Sequence, residues 1–339
     1  MADPEMELSV THLAPPPMLL EALYAPVREE LAQAEQLFRD QLRSRHPFVD
    51  ELVSYGCMLG GKRLRPALVL LAAKAVGKIS REHYILAAVV EMIHTATLVH
   101  DDVLDNAATR RHLATVNIRW DNEAAVLLGD FLFTNAFYLA STTGSTTACR
   151  LIGQATNRVC EGEIKQKGSR GNLQLTEAEY FEIVEGKTAA LTECSCRLGA
   201  LFAGADDDAT HRLAEYGRQL GIAFQIADDL LDVVGEQRVV GKTLGTDLEQ
   251  QKPTLPLIRT LNLCTEAERQ AISDLLFNAC DDRTQQLLPL LEKYDAIEYA
   301  RQKAQRFVDD ARDQIAGLAP SAARDMLLAM SEFVVQRSN

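Results

Sequence analysis

The sequence predicts an all-α fold: a single-domain bundle of about ten or more helices around a deep central cavity. Three observations carry that expectation. From Met18 onward Leu and Ala recur at three- and four-residue spacing with charges between them, which is the period of helices that bury one face. Nowhere do Val, Ile and Thr alternate with polar residues long enough to make a convincing strand. No Gly/Ser/Pro-rich linker divides the 339 residues, so 18–339 reads as one domain although that length would allow two.

The elements follow in chain order. MADPEMELSVTHLAPPP has acids and prolines but no basic n-region or apolar h-region, so 1–17 reads as a flexible segment and not a signal peptide. MLLEALYAPVREELAQAEQLFRDQLRS and VDELVSYGCML are amphipathic helices, the second ending at Gly60-Gly61. PALVLLAAKAV places Pro66 at a first helical position and stops at Gly77. HYILAAVVEMIHTATLVHDDVLD is apolar nearly all round before its acids, the mark of a buried central helix. NEAAVLLGDFLFTNAFYLAST reads as another. STTACRLIGQATNRVCEGEIKQK, TEAEYFEIVEGKTAALTECSCRLGALFAG and HRLAEYGRQLGIAFQIADDLLDVVG follow as long helices. From Leu255 to Val335 more polar helices alternate with short turns.

Composition narrows the function classes. A net charge of -13 argues against a nucleic-acid surface, though not against phosphate substrates, which local cations and metals decide. The seven cysteines form no CxxC and read as reduced thiols of a cytoplasmic protein; Cys194 and Cys196 read as small core residues. No segment reaches the length of a transmembrane helix free of charge, so any membrane contact should be peripheral.

The chemistry concentrates in IHTATLVHDDVLDNAATRRHLATVN, Ile93 to Asn117. Asp101 and Asp105 stand one helical turn apart with Asp102 beside them. Such a cluster needs cations, and magnesium, held by one or two carboxylates plus substrate phosphates, is the natural choice. Arg110 and Arg111 follow within a short loop, and guanidinium groups suit phosphate oxygens. The arrangement returns at Asp228, Asp229 and Asp232 in FQIADDLLDVVG, followed by Lys242 and Lys252. Two acidic faces trailed by basic residues suggest a diphosphate clamped from two sides through several metal ions. A third match, Asp309, Asp310 and Asp313, has Arg306 and Arg312 at helix-pair spacing and reads as a solvated face. Asp206-Asp207-Asp208 reads as a loop and helix start. Lys62 and Arg65 in GGKRLRP sit on a glycine-led turn, and Lys187 in EGKTAAL lies in an apolar helix where it needs a partner. His94 is two turns before Asp101 on the same face; His100 reads as structural.

Taken together and in order, GGKRLRP, HTATLVHDDVLD, the arginine pair, GKTA, FQIADDLLD, GKTLGTDL and KPTLP resemble the trans-isoprenyl diphosphate synthases, most of all their polyprenyl (octaprenyl-type) branch, over roughly residues 50 to 260. The resemblance implies a homodimeric, magnesium-dependent enzyme that condenses an allylic diphosphate with isopentenyl diphosphate, head to tail. It implies that Asp101, Asp102, Asp105, Asp228, Asp229 and Asp232 hold magnesium against the allylic diphosphate. Arg110, Lys187, Lys242 and Lys252 would neutralise that leaving group, with Thr188 and Gln225 pointing oxygens at the nascent allylic cation. Lys62, Arg65, His94 and Arg111 would bind isopentenyl diphosphate. One departure is His112-Leu113-Ala114, where the family has Gly and a small-polar-Pro run; it puts the loop's conformation in question.

Ala96, with Thr97 beside it, is small where short-chain members carry an aromatic floor. A medium- or long-chain product is therefore expected, with Phe131, Phe133, Phe137 and Tyr138 as candidate floors. A shorter-chain geranylgeranyl or farnesyl synthase is the alternative. Two other classes compete: a metal-dependent phosphohydrolase built on His100-Asp101, for which the second acidic motif has no use, and a terpene cyclase or head-to-head enzyme, against which Lys62, Arg65 and Arg111 argue.

Overall fold

The computed structural model describes residues 20–59, 61–234, 245–278 and 282–336; the segment 1–17 and Lys242 lie outside them. A short helix α1 (Leu20–Leu23) and a 3-10 turn lead into α2 (Arg28–Gln41). Then come α3 (Pro47–Met58), α4 (Leu64–Val76) and α5 (Arg81–Leu104). A two-residue hairpin follows, β1 (Thr109–Arg110) against β2 (Leu113–Ala114), the only sheet among the described residues. Its two turn residues, Arg111 (φ 52) and His112 (φ 64), are both left-handed, the backbone a tight two-residue hairpin demands. That is the answer to the departure from the family's loop: the chain turns at once, at the strain of two non-glycine residues with positive φ.

Beyond the hairpin lie α6 (Val116–Arg119), α7 (Asn122–Ser141), α8 (Thr146–Gly168), α9 (Glu177–Val184), α10 (Ala190–Phe202) and α11 (Asp207–Val234). Local chemistry starts several of them. The Asp121 carboxylate accepts from the Ala124 N–H at 2.7 Å, and Thr176 and Glu179 form a reciprocal box at the start of α9. Asp206 accepts from the Ala209 N–H at 2.8 Å and so caps α11, as its place in the sequence suggested.

The central helix is α5. Every residue from Ile85 to Ile93 is buried, each large aliphatic side chain contributing about 1.5–3 kcal/mol of transfer free energy. It packs against α2, α4, α7 and α10, while α10 also meets α4 and α11, and α11 lies along the helix Ala296–Ala316. One apolar core runs from Leu23 to Val335, with a smaller one between Leu248 and Ala296.

Two expectations are corrected. Helix α7 is not buried all round: it packs on α5 but leaves Val126, Leu127, Phe137 and Tyr138 39–65% exposed. It is long and apolar enough to cross a membrane by length and composition; apolarity alone does not say which neighbour covers a face. In the third acidic match, Asp309, Asp310 and Asp313 are solvated as expected, but Arg312 pairs with Glu332 at 2.6 Å instead of neutralising them.

Candidate active site

The first acidic wall is the end of α5. The Asp105 N–H donates to the Asp101 carbonyl at 2.8 Å, which holds the two side chains one turn apart. Asp102 turns inward and is 2% exposed. Arg110 grips it, Nη2 at 2.8 Å and Nε at 3.0 Å from Oδ1, with Nε also 3.1 Å from Oδ2. Burial raises the Asp102 pKa in spite of that guanidinium. Asp105 receives the Arg170 Nη2 at 2.6 Å and the Lys252 Nζ at 3.2 Å. Burial works against its charge, yet Lys252, Lys187 and Arg170 hold its carboxyl below the usual range.

Lys187 and Thr188 sit where α9 passes into α10 through one π turn, Glu185–Ala189, closed by the Ala190 N–H bonding the Glu185 carbonyl. Such an insertion rotates side chains out of the helical register and is common at functional sites. Helix α8 presses against it through Gly162, where a Cβ would lie 2.3 Å from the Lys187 nitrogen. Only glycine permits that approach. The Lys187 ammonium donates to Glu163 and Gln166, both at 2.9 Å, and stands 3.9 Å from Asp101. Burial opposes its charge, but Asp101 and Glu163 more than compensate and raise its pKa. Glu163 itself is pushed up by burial, against the pull of Lys187.

The second wall is the last two turns of α11. Asp228 and Asp229 line a cleft with Gln166, Tyr180, Lys187, Gln225, Asp247 and Lys252. Since Lys187 faces Asp101 and Lys252 is bonded to Asp105, both walls converge on this one cleft. Asp229 accepts from the Tyr180 hydroxyl at 2.7 Å and the Gln225 amide at 2.8 Å. Burial, with Asp247 and Asp228 adding repulsion, pushes its carboxyl up to about 7. Thr188 donates its hydroxyl to Gln225 Oε1 at 2.7 Å. Asp232 is turned away: 2% exposed, it accepts from Thr246 at 3.1 Å and the Asp247 N–H at 3.0 Å, tying down the returning chain.

A cationic nest adjoins the first wall. Burial pushes the His94 pKa well below its ordinary value, and the charges of Arg65, Arg110, Arg63 and Arg111 push the same way. Guanidinium charge around a neutral imidazole is an arrangement that can accept a polyanion. Burial lowers Arg65 to about 10, and its buried Nε has no hydrogen-bond partner. Arg63, itself left-handed at φ 58, is held by Glu35 at 2.7 Å and by buried Glu91 at 2.6 Å. The Lys62 side chain is exposed, while its carbonyl accepts from the Tyr24 hydroxyl at 2.9 Å.

Sequence reasoning missed Arg63, Glu91, Glu163, Arg170 and Tyr180. Each has its partner far along the chain, so no local pattern announces the pairing, even for Arg63 inside GGKRLRP. His100 is structural as expected: its Nε2 is 3.2 Å from the Val126 carbonyl. Of the chain-length residues, Ala96 is fully buried and Thr97 donates to the His94 carbonyl at 2.7 Å. Phe131 is half-buried against the core. Phe133 stacks 5.8 Å from the His100 ring, level with the acidic end of α5.

The donor set suits a hard divalent cation. No group of three acidic, histidine or cysteine side chains converges on one point among the described residues. Asp101, Asp105 and Asp228 would hold such ions together with substrate phosphates, which is how magnesium is usually held.

A family profile described as polyprenyl synthetase matches residues 46–291. The chain belongs to that family. The chain is 35% identical to octaprenyl diphosphate synthase of Escherichia coli K12 over 323 residues, 94% of this chain and 99% of that one. It is similar to the crystal structure of a decaprenyl diphosphate synthase from Rhodobacter capsulatus, with TM-score 0.90 and 38% identity over 94% of this chain and 99% of that one. A polyprenyl synthase from Caulobacter crescentus CB15, solved with calcium and isoprenyl diphosphate, is similar at TM-score 0.91 and 31% identity over 96% and 100% of the two chains. The all-α fold is thus that of the polyprenyl synthases, and the protein is a prenyltransferase.

Proposed function

We propose that the enzyme condenses an allylic diphosphate of farnesyl or geranylgeranyl type with isopentenyl diphosphate, repeatedly and head to tail, to a medium- or long-chain all-trans polyprenyl diphosphate. The observation that carries this reading is the convergence of two acidic walls on one cleft beside the arginine-ringed His94. Similarity to octaprenyl and decaprenyl synthases supports the longer product.

Asp101, Asp105 and Asp228 would hold magnesium, which when bound spreads the charge of the departing diphosphate. Arg110, Lys187 and Lys252, with Lys242 by resemblance, neutralise the same leaving group. Asp102, Asp229 and Asp232, which the resemblance also assigns to magnesium, are buried as well as hydrogen-bonded within the protein, and orient the walls. Lys62, Arg65, His94 and Arg111 take the isopentenyl diphosphate and hold its double bond toward the allylic carbon. Thr188 and Gln225 offer oxygen dipoles to the carbon as its bond to oxygen breaks, electrostatic help that a preorganised site gives without reorganising. The diphosphate released beside these cations is the base for the final proton. A second copy of the chain covers the open apolar face of α7, giving the homodimer. The work takes place in the cytoplasm, with at most peripheral membrane contact as the product leaves.

The test is direct. Purified protein with farnesyl and isopentenyl diphosphates and magnesium should yield products longer than geranylgeranyl on chromatography. Absence of any condensation, or phosphate release from nucleotides in its place, overturns the reading.

A further inference from the structure

The turn that carries Lys62 and Arg65 is pinned by the residue between them. Arg63 opens α4 in the left-handed region, at φ 58 and ψ 27, and its carbonyl accepts from the Ala67 N–H at 3.1 Å. A residue with a Cβ is unfavourable in that backbone and stays there only where its surroundings hold it. The side chain supplies the hold. Its Nε stands 2.7 Å from Glu35 Oε1 on α2, and its Nη1 stands 2.6 Å from Glu91 Oε1 on α5. The guanidinium carbon lies 5.6 Å from the centre of the Phe38 ring, also on α2. One planar fork thus ties the turn to two helices at once, a geometry that the single point of an ammonium does not offer.

Glu91 connects this hold to the cationic nest. It lies three residues before His94, on the same face of α5. A Cβ at Gly61 would stand 3.2 Å from His94 Nε2 and 3.6 Å from Glu91 Oε1, so the backbone entering the turn rests on both side chains. Glu91 is 2% exposed, and its Oε2 is buried without a hydrogen-bond partner, so its grip on the turn runs through Oε1 and Arg63.

We propose that Arg63 and Glu91 act as one positioning pair for isopentenyl diphosphate, holding the turn 61–65 against α5 so that Lys62 and Arg65 meet the diphosphate beside His94; this rests on the function proposed above. Neither member of the pair has to touch the substrate, and two carboxylates already take the Nε and Nη1 of Arg63.

The experiment is a double-mutant cycle on steady-state kinetics with Arg63→Gln, Glu91→Gln and both together, each substrate varied while the other is saturating. Either single change should raise the KM for isopentenyl diphosphate about tenfold, with kcat and the KM for farnesyl diphosphate within about twofold of wild type. The double variant should be no worse than the worse single one, because both changes break the same pair. Arg63→Lys keeps the charge but loses the fork, and should show the same selective rise at smaller size. A lower Tm with both KM values unchanged, which is all that a merely structural pair would give, overturns the inference. So do losses that multiply in the double variant, as direct contact of Arg63 with the diphosphate would produce, and an equal rise in the KM for farnesyl diphosphate. Should the glutamine variants fail to fold, Arg63→Lys decides by the same split between the two KM values. A wild type that makes no condensation product sinks the proposed function; a working wild type without the selective rise sinks this inference alone.

Discussion

The two acidic walls carry the same DDxxD spacing yet are held in opposite ways. At the end of α5 the carboxylates are met by charge: Arg110 on Asp102, Arg170 and Lys252 on Asp105, Lys187 near Asp101. At the end of α11 they are met mostly by neutral donors: Tyr180 and Gln225 on Asp229, Thr246 and a backbone N–H on Asp232. Hydrogen bonds from neutral groups orient a carboxylate but leave its charge in place. The first wall is met by side-chain cations from elsewhere in the chain, while on the second burial and Asp247 push the Asp229 carboxyl up to about 7. The difference teaches that one spacing can be held by ion pairs or by neutral donors, according to what packs against each helix.

The largest expected effect separates cleft-facing acids from tethered ones. Asp101→Asn and Asp228→Asn should each cost roughly 10²–10³-fold in kcat, the range for losing one electrostatic contact to a developing charge. Asp232→Asn should cost far less in rate and show mainly as lower stability. Equal losses across all three, measured at saturating substrates, would break the distinction between cleft-facing and tethered acids.

Next comes metal-dependent stability with pH. An acid whose folded pKa lies above its unfolded value binds more protons in the native state, so its contribution falls as pH rises between the two. For Asp229 that window runs from the ordinary carboxyl value to about 7. Metal-free protein should lose thermal stability across this window, and the rise in Tm on adding magnesium should be larger at pH 8 than at pH 5.5. A magnesium effect independent of pH would remove the second wall's special role.

Smaller still, Arg170→Ala should destabilise the metal-free enzyme by about 1 kcal/mol in urea titration, since the ion pair is only partly buried. That loss should shrink in 0.5 M salt on the order of a Debye length of a few ångströms. Thr246→Val on the second wall, losing a bond from a neutral hydroxyl to the Asp232 carboxylate of about 1.5–3 kcal/mol, should be much less sensitive to salt. The least effect on rate is expected from Ala96→Tyr, which should shorten the products. Unchanged product lengths by chromatography would discard the proposed tail route along α5.

Much of this was legible beforehand. The helical period announced the bundle, and the spacing of Asp101 to Asp105 and of Asp228 to Asp232 announced both walls, because contacts one turn apart are local. The open face of α7 was not legible: its sequence is apolar, and whether solvent or protein covers an apolar face depends on elements elsewhere. Nor was the π turn at Lys187, since an i to i−5 bond is imposed by packing against Gly162 and has no periodicity of its own.

By itself, then, the sequence determined the helices, the positions of both acidic motifs and the basic residues beside them, since backbone hydrogen bonding and side-chain period act over a few residues. Only the tertiary structure decided which acid each cation meets. Arg170 reaches Asp105 across 65 positions and Lys252 reaches it across 147; Tyr180 reaches Asp229 across 49. Such pairings are fixed by how buried helices pack, and side-chain packing is a property of the whole core that no stretch of the chain specifies alone.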